Sequence, residues 1–169
     1  MNNQDTGLLL QKQDIELQRS YFKEMVHLLG INTIYKAPKK NMKDYSLHGN
    51  LETPYETGII CGCIFEEHPT IKTMKTLGWN TERADSSSVI HVPFDLCGLQ
   101  VGGQFIIPNP YDTQKGRLFR VIGISSTMVY PASFACEIAP EFETTVDKAQ
   151  LHDFKNVDFH LLNTDREDD

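Results

Sequence analysis

Residues 89–140 read VIHVPFDLCGLQVGGQFIIPNPYDTQKGRLFRVIGISSTMVYPASFACEIAP. Short apolar runs alternate with Gly, Pro, Asn and Asp punctuation, which is how a small antiparallel sheet is written. The first strand runs over 87–93, with Ile90 and Val92 facing away from Val89 and His91. A turn at 99–103 leads to the second, 104–107, and Gly102-Gly103 suits a tight turn needing positive φ. The loop Asn109-Pro110-Tyr111-Asp112 closes it. The third strand, 117–125, is opened by Gly116, and Leu118, Arg120 and Ile122 alternate there with Phe119, Val121 and Gly123. The fourth, 132–139, follows a bend at Tyr130-Pro131. Strands this short, spaced about a dozen residues apart, suggest a small barrel or sandwich.

Working outward, Asp14 is placed to cap a helix over 14–29. Ile15, Phe22, Val26 and Leu29 repeat at helical spacing, and Leu17, Tyr21, Met25 and Leu28 widen the stripe. Gly30 stands just beyond, and Ile31 can pack back on Val26 in a Schellman stop. Thr33-Ile34-Tyr35 is a short strand, and 57–65 reads as a buried one. Residues 70–77 fit one or two helical turns capped by Thr70 and stopped by Gly78, with Trp79 anchoring the excursion. The expected class is α+β, mainly β: a small antiparallel β-barrel or sandwich with an N-terminal amphipathic helix and extended terminal arms. The division is an arm at 1–13, one body at 14–140 and an acidic arm at 141–169. Each arm carries apolar side chains suited to docking on a neighbour: Leu8, Leu9 and Leu10 in one, and Phe154, Phe159, Leu161 and Leu162 in the other.

The 169 residues carry a formal charge of −7, unevenly placed. From 141 onward there are 9 acidic and 3 basic residues, a balance of −6; residues 1–140 hold 14 and 13, a balance of −1. A near-neutral body offers no broad footprint for duplex DNA or an anionic membrane. The local exception is the loop holding Lys36, Lys39, Lys40 and Lys43, either a solvated loop or one facing phosphates. No apolar run is long enough to span a bilayer and no leader pattern is present, so no membrane partner is expected and the four cysteines are expected as free thiols.

The sharpest chemical candidate is Cys61-Gly62-Cys63 with His68 five residues on. Thiols at i and i+2 of a strand share a face and can reach one soft metal. No second pair of ligands at knuckle spacing accompanies them, and buried thiols are the plainer reading. Glu66, Glu67 and His68 lack the second histidine that a helical metal-hydrolase motif needs. Ser86-Ser87-Ser88 has no glycine elbow around it. Tyr21, Phe22, Tyr35 and Tyr111 could stack on bases, but without a basic field beside them they read as core or interface aromatics. No cofactor and no catalytic residue is expected.

The helix beginning Asp14-Ile15-Glu16-Leu17-Gln18-Arg19 carries a resemblance, together with Gly116-Arg117-Leu118-Phe119-Arg120-Val121 and Tyr130-Pro131-Ala132-Ser133 running into Cys136-Glu137-Ile138-Ala139-Pro140. In layout and texture these segments, about two thirds of the chain, resemble the neck proteins of tailed bacteriophages, the head-closure or head-to-tail connector proteins that form a ring under the portal. The resemblance implies a small β-barrel with helices and arms, and a structural rather than enzymatic role. It also implies a virion location after assembly in the host cytoplasm. The partners it implies are copies of the chain in a ring, portal or adaptor and tail proteins, and passive contact with packaged DNA. A zinc-stapled module or metal-dependent enzyme on Cys61, Cys63 and His68 is the alternative.

Overall fold

Period-two alternation decides which side chains turn inward, and six strands use it to close a barrel. The computed structural model describes residues 12–39, 55–109, 111–125 and 132–147, with the backbone alone at 112–114 and 142–147. The strands are β1 (Ile31–Lys36), β2 (Ile59–Glu66), β3 (Ser88–Pro93), β4 (Gln104–Asn109), β5 (Asp112–Ile124) and β6 (Ser133–Asp147). Around the barrel the order is β1-β2-β3-β6-β5-β4, and β4 pairs back onto β1; every pairing is antiparallel. Of the barrel and the sandwich that the turn spacing left open, the chain forms the barrel.

The interior holds Tyr35, Cys63, Ile90, Val92, Phe105, Ile107, Phe119, Val121, Cys136 and Ile138, all buried. These are the alternate positions of their strands, as the pattern over 89–140 required. The opposite face is not simply wet: Ile34, Val89 and Ile106 lie on it with 0, 0 and 1% exposure. β2 differs from its expected burial. Cys63 alone is fully buried there, while Ile59 and Ile60 stand 41 and 45% exposed.

The β5–β6 ribbon extends past the barrel proper. Lys115 pairs with Asp147 and Arg117 with Thr145, but Phe119 pairs with Pro140. Two steps on β5 thus oppose five on β6, and the three extra residues bulge β6 just after Pro140. The expected body boundary at 140 therefore falls inside a strand.

The leading helix, α1 (Lys12–Leu29), begins before its expected start, so Asp14 sits in the first turn, where a carboxylate suits the helix dipole, rather than at the cap. Phe22 and Val26 are its buried residues, and it packs against β2 and β3. Arg19 lies over the Phe94 ring at 3.4 Å and Lys23 pairs with Asp95 at 3.1 Å, both beyond the end of β3.

The helix stop is corrected. Among the described residues the glycines with positive φ are Gly78, Gly98 and Gly102, and Gly30 is not one of them. Gly30 is required instead by close approach: a Cβ there would stand 2.3 Å from the Val26 carbonyl oxygen and 2.7 Å from that of Cys63. The Schellman pattern appears on the second helix, α2 (Ile71–Thr76), where Trp79 N donates to Met74 O and Gly78 N to Lys75 O. Its cap is the expected one, with Thr70 Oγ1 accepting from Thr73 N at 3.1 Å. A 3-10 turn, Thr81–Arg83, completes the excursion before β3. Ser125 Oγ donates to Leu77 O at 3.1 Å, and Trp79 Nε1 lies beside Gly123 of β5, so the excursion is tied back to the barrel.

Gly30→Ala should cost about 2–3 kcal/mol, because both clashing atoms are backbone and must move. Gly123→Ala places its Cβ 3.4 Å or more from its neighbours and should stay within about 1 kcal/mol. Chemical denaturation of the two variants side by side checks the contrast.

Candidate functional site

A barrel closed on itself and filled with side chains has few free strand edges to offer; among the described residues one is the stretch of β6 past Ile138, which pairs with β5 alone. Function must then sit on its outer faces or beyond its ends. The described residues form a groove of about 930 Å³. Its floor is the outer face of β5 and β6, where Leu118, Ile122, Ala139 and Pro140 supply apolar surface. One wall is the stretch from Arg83 to Ser88 that enters β3, and Glu67 and His68, which follow β2, close one end.

Polar groups in the groove are mostly committed to one another. Arg117 Nη1 donates to Glu67 Oε1, and its guanidinium sits 5.5 Å from the Phe119 ring centre and 5.8 Å from that of Phe65. Arg117 Nε is buried with no acceptor among the described residues. Ser87 Oγ lies 2.9 Å from both Glu137 Oε1 and the Arg83 carbonyl oxygen, and Ser88 Oγ donates to Glu67 O at 2.9 Å. Glu137 is 5% exposed, so that serine contact meets a carboxylate withdrawn from water. At the rim Glu141 accepts from Arg120 Nε at 2.7 Å and Gln104 Nε2 at 2.6 Å. Arg83 is exposed and joins none of the ion pairs of the described residues.

His68 and the serines at 86–88, read separately in the sequence, come together in this groove. They do not form a nucleophile and base, since His68 makes no hydrogen bond among the described residues and Ser87 is held by Glu137. The Arg117–Glu67 and Ser87–Glu137 pairs each join residues 50 apart, so no local spacing announced them.

The candidate metal residues are separated. Cys61 and Cys63 point toward the barrel interior, while His68 is exposed on the groove. No group of three or more His, Cys, Asp or Glu able to hold a metal occurs among the described residues. Burial pushes the Cys61 and Cys136 thiols up to about 12, and Cys63 well upward, chiefly by desolvation. A thiol held protonated is neither nucleophile nor metal ligand. Cys97, in the loop after β3, is exposed.

Of the lysine loop, Lys36 ends β1 opposite Gln104 and is half-buried, as is Lys39. Lys40 and Lys43 lie outside the described residues, as do Leu8, Leu9, Leu10, Phe154, Phe159, Leu161 and Leu162. Of the aromatics weighed for stacking, Tyr35 and Phe22 are core, while Tyr21 and Tyr111 are 54 and 95% exposed.

α1 supplies a surface that the periodicity alone could not separate from the core. Leu17, Tyr21, Met25, Leu28 and Leu29 are all about half or more exposed. No helix of the described residues is long and apolar enough to cross a membrane. In comparisons with known proteins the chain matches no protein-family model and no curated protein.

One thiol, Cys97, should react promptly with a chromogenic disulfide reagent near neutral pH, and three only after unfolding. A pKa raised from 9 to about 12 leaves roughly 1,000-fold less thiolate. The same shift gives a pH dependence. Above pH 9 the unfolded chain releases thiol protons that the folded chain keeps, so stability falls from about pH 9 toward 12. The slope is up to about 1.4 kcal/mol per pH unit for each such thiol, and denaturation midpoints in a Cys136→Ala variant should show a shallower decline.

Proposed function

We propose that this chain is a structural protein of the neck of a tailed-phage virion, one of several copies in a ring that joins the portal and head to the tail. The observation that supports it best is the pairing of a closed barrel with an apolar outer helix face. Among the described residues the closed ring leaves strand addition little beyond the stretch of β6 past Ile138, which pairs with β5 alone, and Leu17, Tyr21, Met25 and Leu28 present apolar surface away from the core. Such a molecule meets its neighbours through side chains. In this reading it works by assembly, not by chemistry.

The apolar residues of the arms add docking surface on adjacent subunits. At roughly 25 cal/mol per Å², a few such side chains contribute several kcal/mol per subunit. Lys36, Lys39, Lys40 and Lys43 face either the DNA path or an acidic surface of the portal in this proposal. In the β5–β6 groove Ser87 is held by Glu137 and Arg117 by Glu67, which also favours a building block over a catalyst.

Peptide mass spectrometry on gradient-purified particles tests the reading, with tailed virions, tailless heads and free tails compared. The expected result is this chain at a few to a dozen or so copies in tailed virions, about the size of closed cyclic rings, and its loss from one half-assembled fraction. Absence from every particle fraction overturns it. A chain ending at Asp147 should keep the barrel, since β6 ends there, and should join particles poorly.

A further inference from the structure

α1 is anchored to the barrel at two places. At its C-terminal end Gly30 stands so close to β2 that a Cβ would lie 2.7 Å from the Cys63 carbonyl oxygen. Nearer its middle Arg19 lies 3.4 Å from the Phe94 ring centre and Lys23 reaches Asp95 at 3.1 Å, both just past β3. Between these anchors the helix crosses the outside of β2 and β3, with Phe22 and Val26 buried. Ile64 follows Cys63 in the chain and is paired with His91, three residues before Phe94, so the crossing passes the Ile64–His91 pair.

His91 is the titratable group of that crossing. Its chain neighbours Ile90 and Val92 fill the interior, so His91 faces outward, beside Ile64 of β2 and Ala135 of β6. It is half-buried although it lies on the outside of the barrel, and it makes no hydrogen bond among the described residues. Burial lowers its pKa below the ordinary 6.5, while Glu66, the next outward residue of β2, favours the charged ring and pulls the other way. The other charges of the neighbouring elements are committed or turned to solvent. On β6 Glu137, which pairs with Val89, is held by Ser87. On α1 Arg19 and Lys23 are engaged at Phe94 and Asp95, and Lys12, Asp14, Glu16, Glu24 and His27 are exposed.

We propose that this crossing is an acid-released latch: an imidazolium formed at His91 in mild acid drives α1 off the barrel and leaves the six strands closed. The ring needs no helix, since its order runs through strands alone. The docked form holds the His91 proton less tightly than the released form does. Docking is therefore at full strength above pH 6.5 and is lost as pH falls below it through the depressed pKa. One proton is taken up on release, which limits the change in the docking equilibrium to about tenfold per pH unit. Release uncovers Phe22 and Val26 in addition to the exposed Leu17, Tyr21, Met25 and Leu28, so the helix offers its whole apolar surface in acid alone.

Amide hydrogen exchange on the full chain tests this, read at pH 7.5 and 5.0 as protection factors so that the intrinsic pH dependence of exchange cancels. In the wild type the amides of α1 should lose protection several-fold in acid, up to about 30-fold, while those of β5 keep theirs. A His91→Gln variant should show the same α1 protection at both pH values. Thermal melts report whether that variant folds; if it does not, His91→Leu takes its place with the same result expected. Equal α1 protection at the two pH values in the wild type overturns the latch. So does an undiminished acid loss in the neutral variant, or a loss that β5 shares. The latch does not depend on the neck reading, and either can fail without the other.

Discussion

The barrel depends on one seam, the pairing of β1 with β4, and on the tyrosine that fastens it. Loss of any of the six pairings would open the ring, and this one and β2–β3 are the shortest, with three residue pairs each. Tyr35 is fully buried, pairs across the seam with Phe105, and packs its ring 4.8 Å from that of Phe105. Its hydroxyl donates to Gly98 O at 2.9 Å and accepts from Gln100 N at 3.1 Å, so the loop leading into β4 is bound to the same side chain. Burial raises the phenol's pKa, and the neutral hydroxyl keeps both bonds. Gly103 makes room, since a Cβ there would stand 2.4 Å from the hydroxyl oxygen. Beside it Thr33 Oγ1 donates to Ile106 O, across 73 residues of sequence. Closing so long a loop costs entropy before the seam returns anything.

Because the seam closes and the interior fills, the molecule's distinguishing chemistry is pushed outward. The thiols at 61, 63 and 136 occupy core positions and are raised by desolvation, which makes them packing groups. Strongly perturbed titration is often a pointer to function, but here it arises from burial among apolar neighbours, with no cation or base beside the sulfur. The outer face of β5–β6 is different. There Arg117 pairs with Glu67 and Arg120 with Glu141 around an apolar floor.

The strands over 89–140 were legible because each is bounded by turn residues and alternates cleanly; Gly102 and Thr70 are in their expected roles. Two readings failed for physical reasons. Gly30 was expected to supply left-handed backbone, whereas its lack of a Cβ is what the fold uses, and a sequence does not distinguish these two uses of glycine. The bounds of β6 were missed because its continuation past Pro140 is irregular, with a bulge that breaks the alternation a strand is read from. The groove was illegible altogether. It is assembled from the approach to β3, the exit of β2 and the middles of β5 and β6, and long-range pairs such as Arg117–Glu67 leave no mark on local spacing.

The same limit explains the breadth of the helical stripe. Hydrophobic periodicity records which positions avoid water, without recording whether the barrel or another chain removes them from it. For α1 the barrel accounts for Phe22 and Val26 and leaves Leu17, Tyr21, Met25 and Leu28 half-exposed. Leaving four large apolar side chains on one arc of a helix forgoes their transfer free energy and invites association. A monomer would gain solubility by replacing them with charged residues at little cost to helix propensity. Their presence is most simply explained by a second surface that completes their burial.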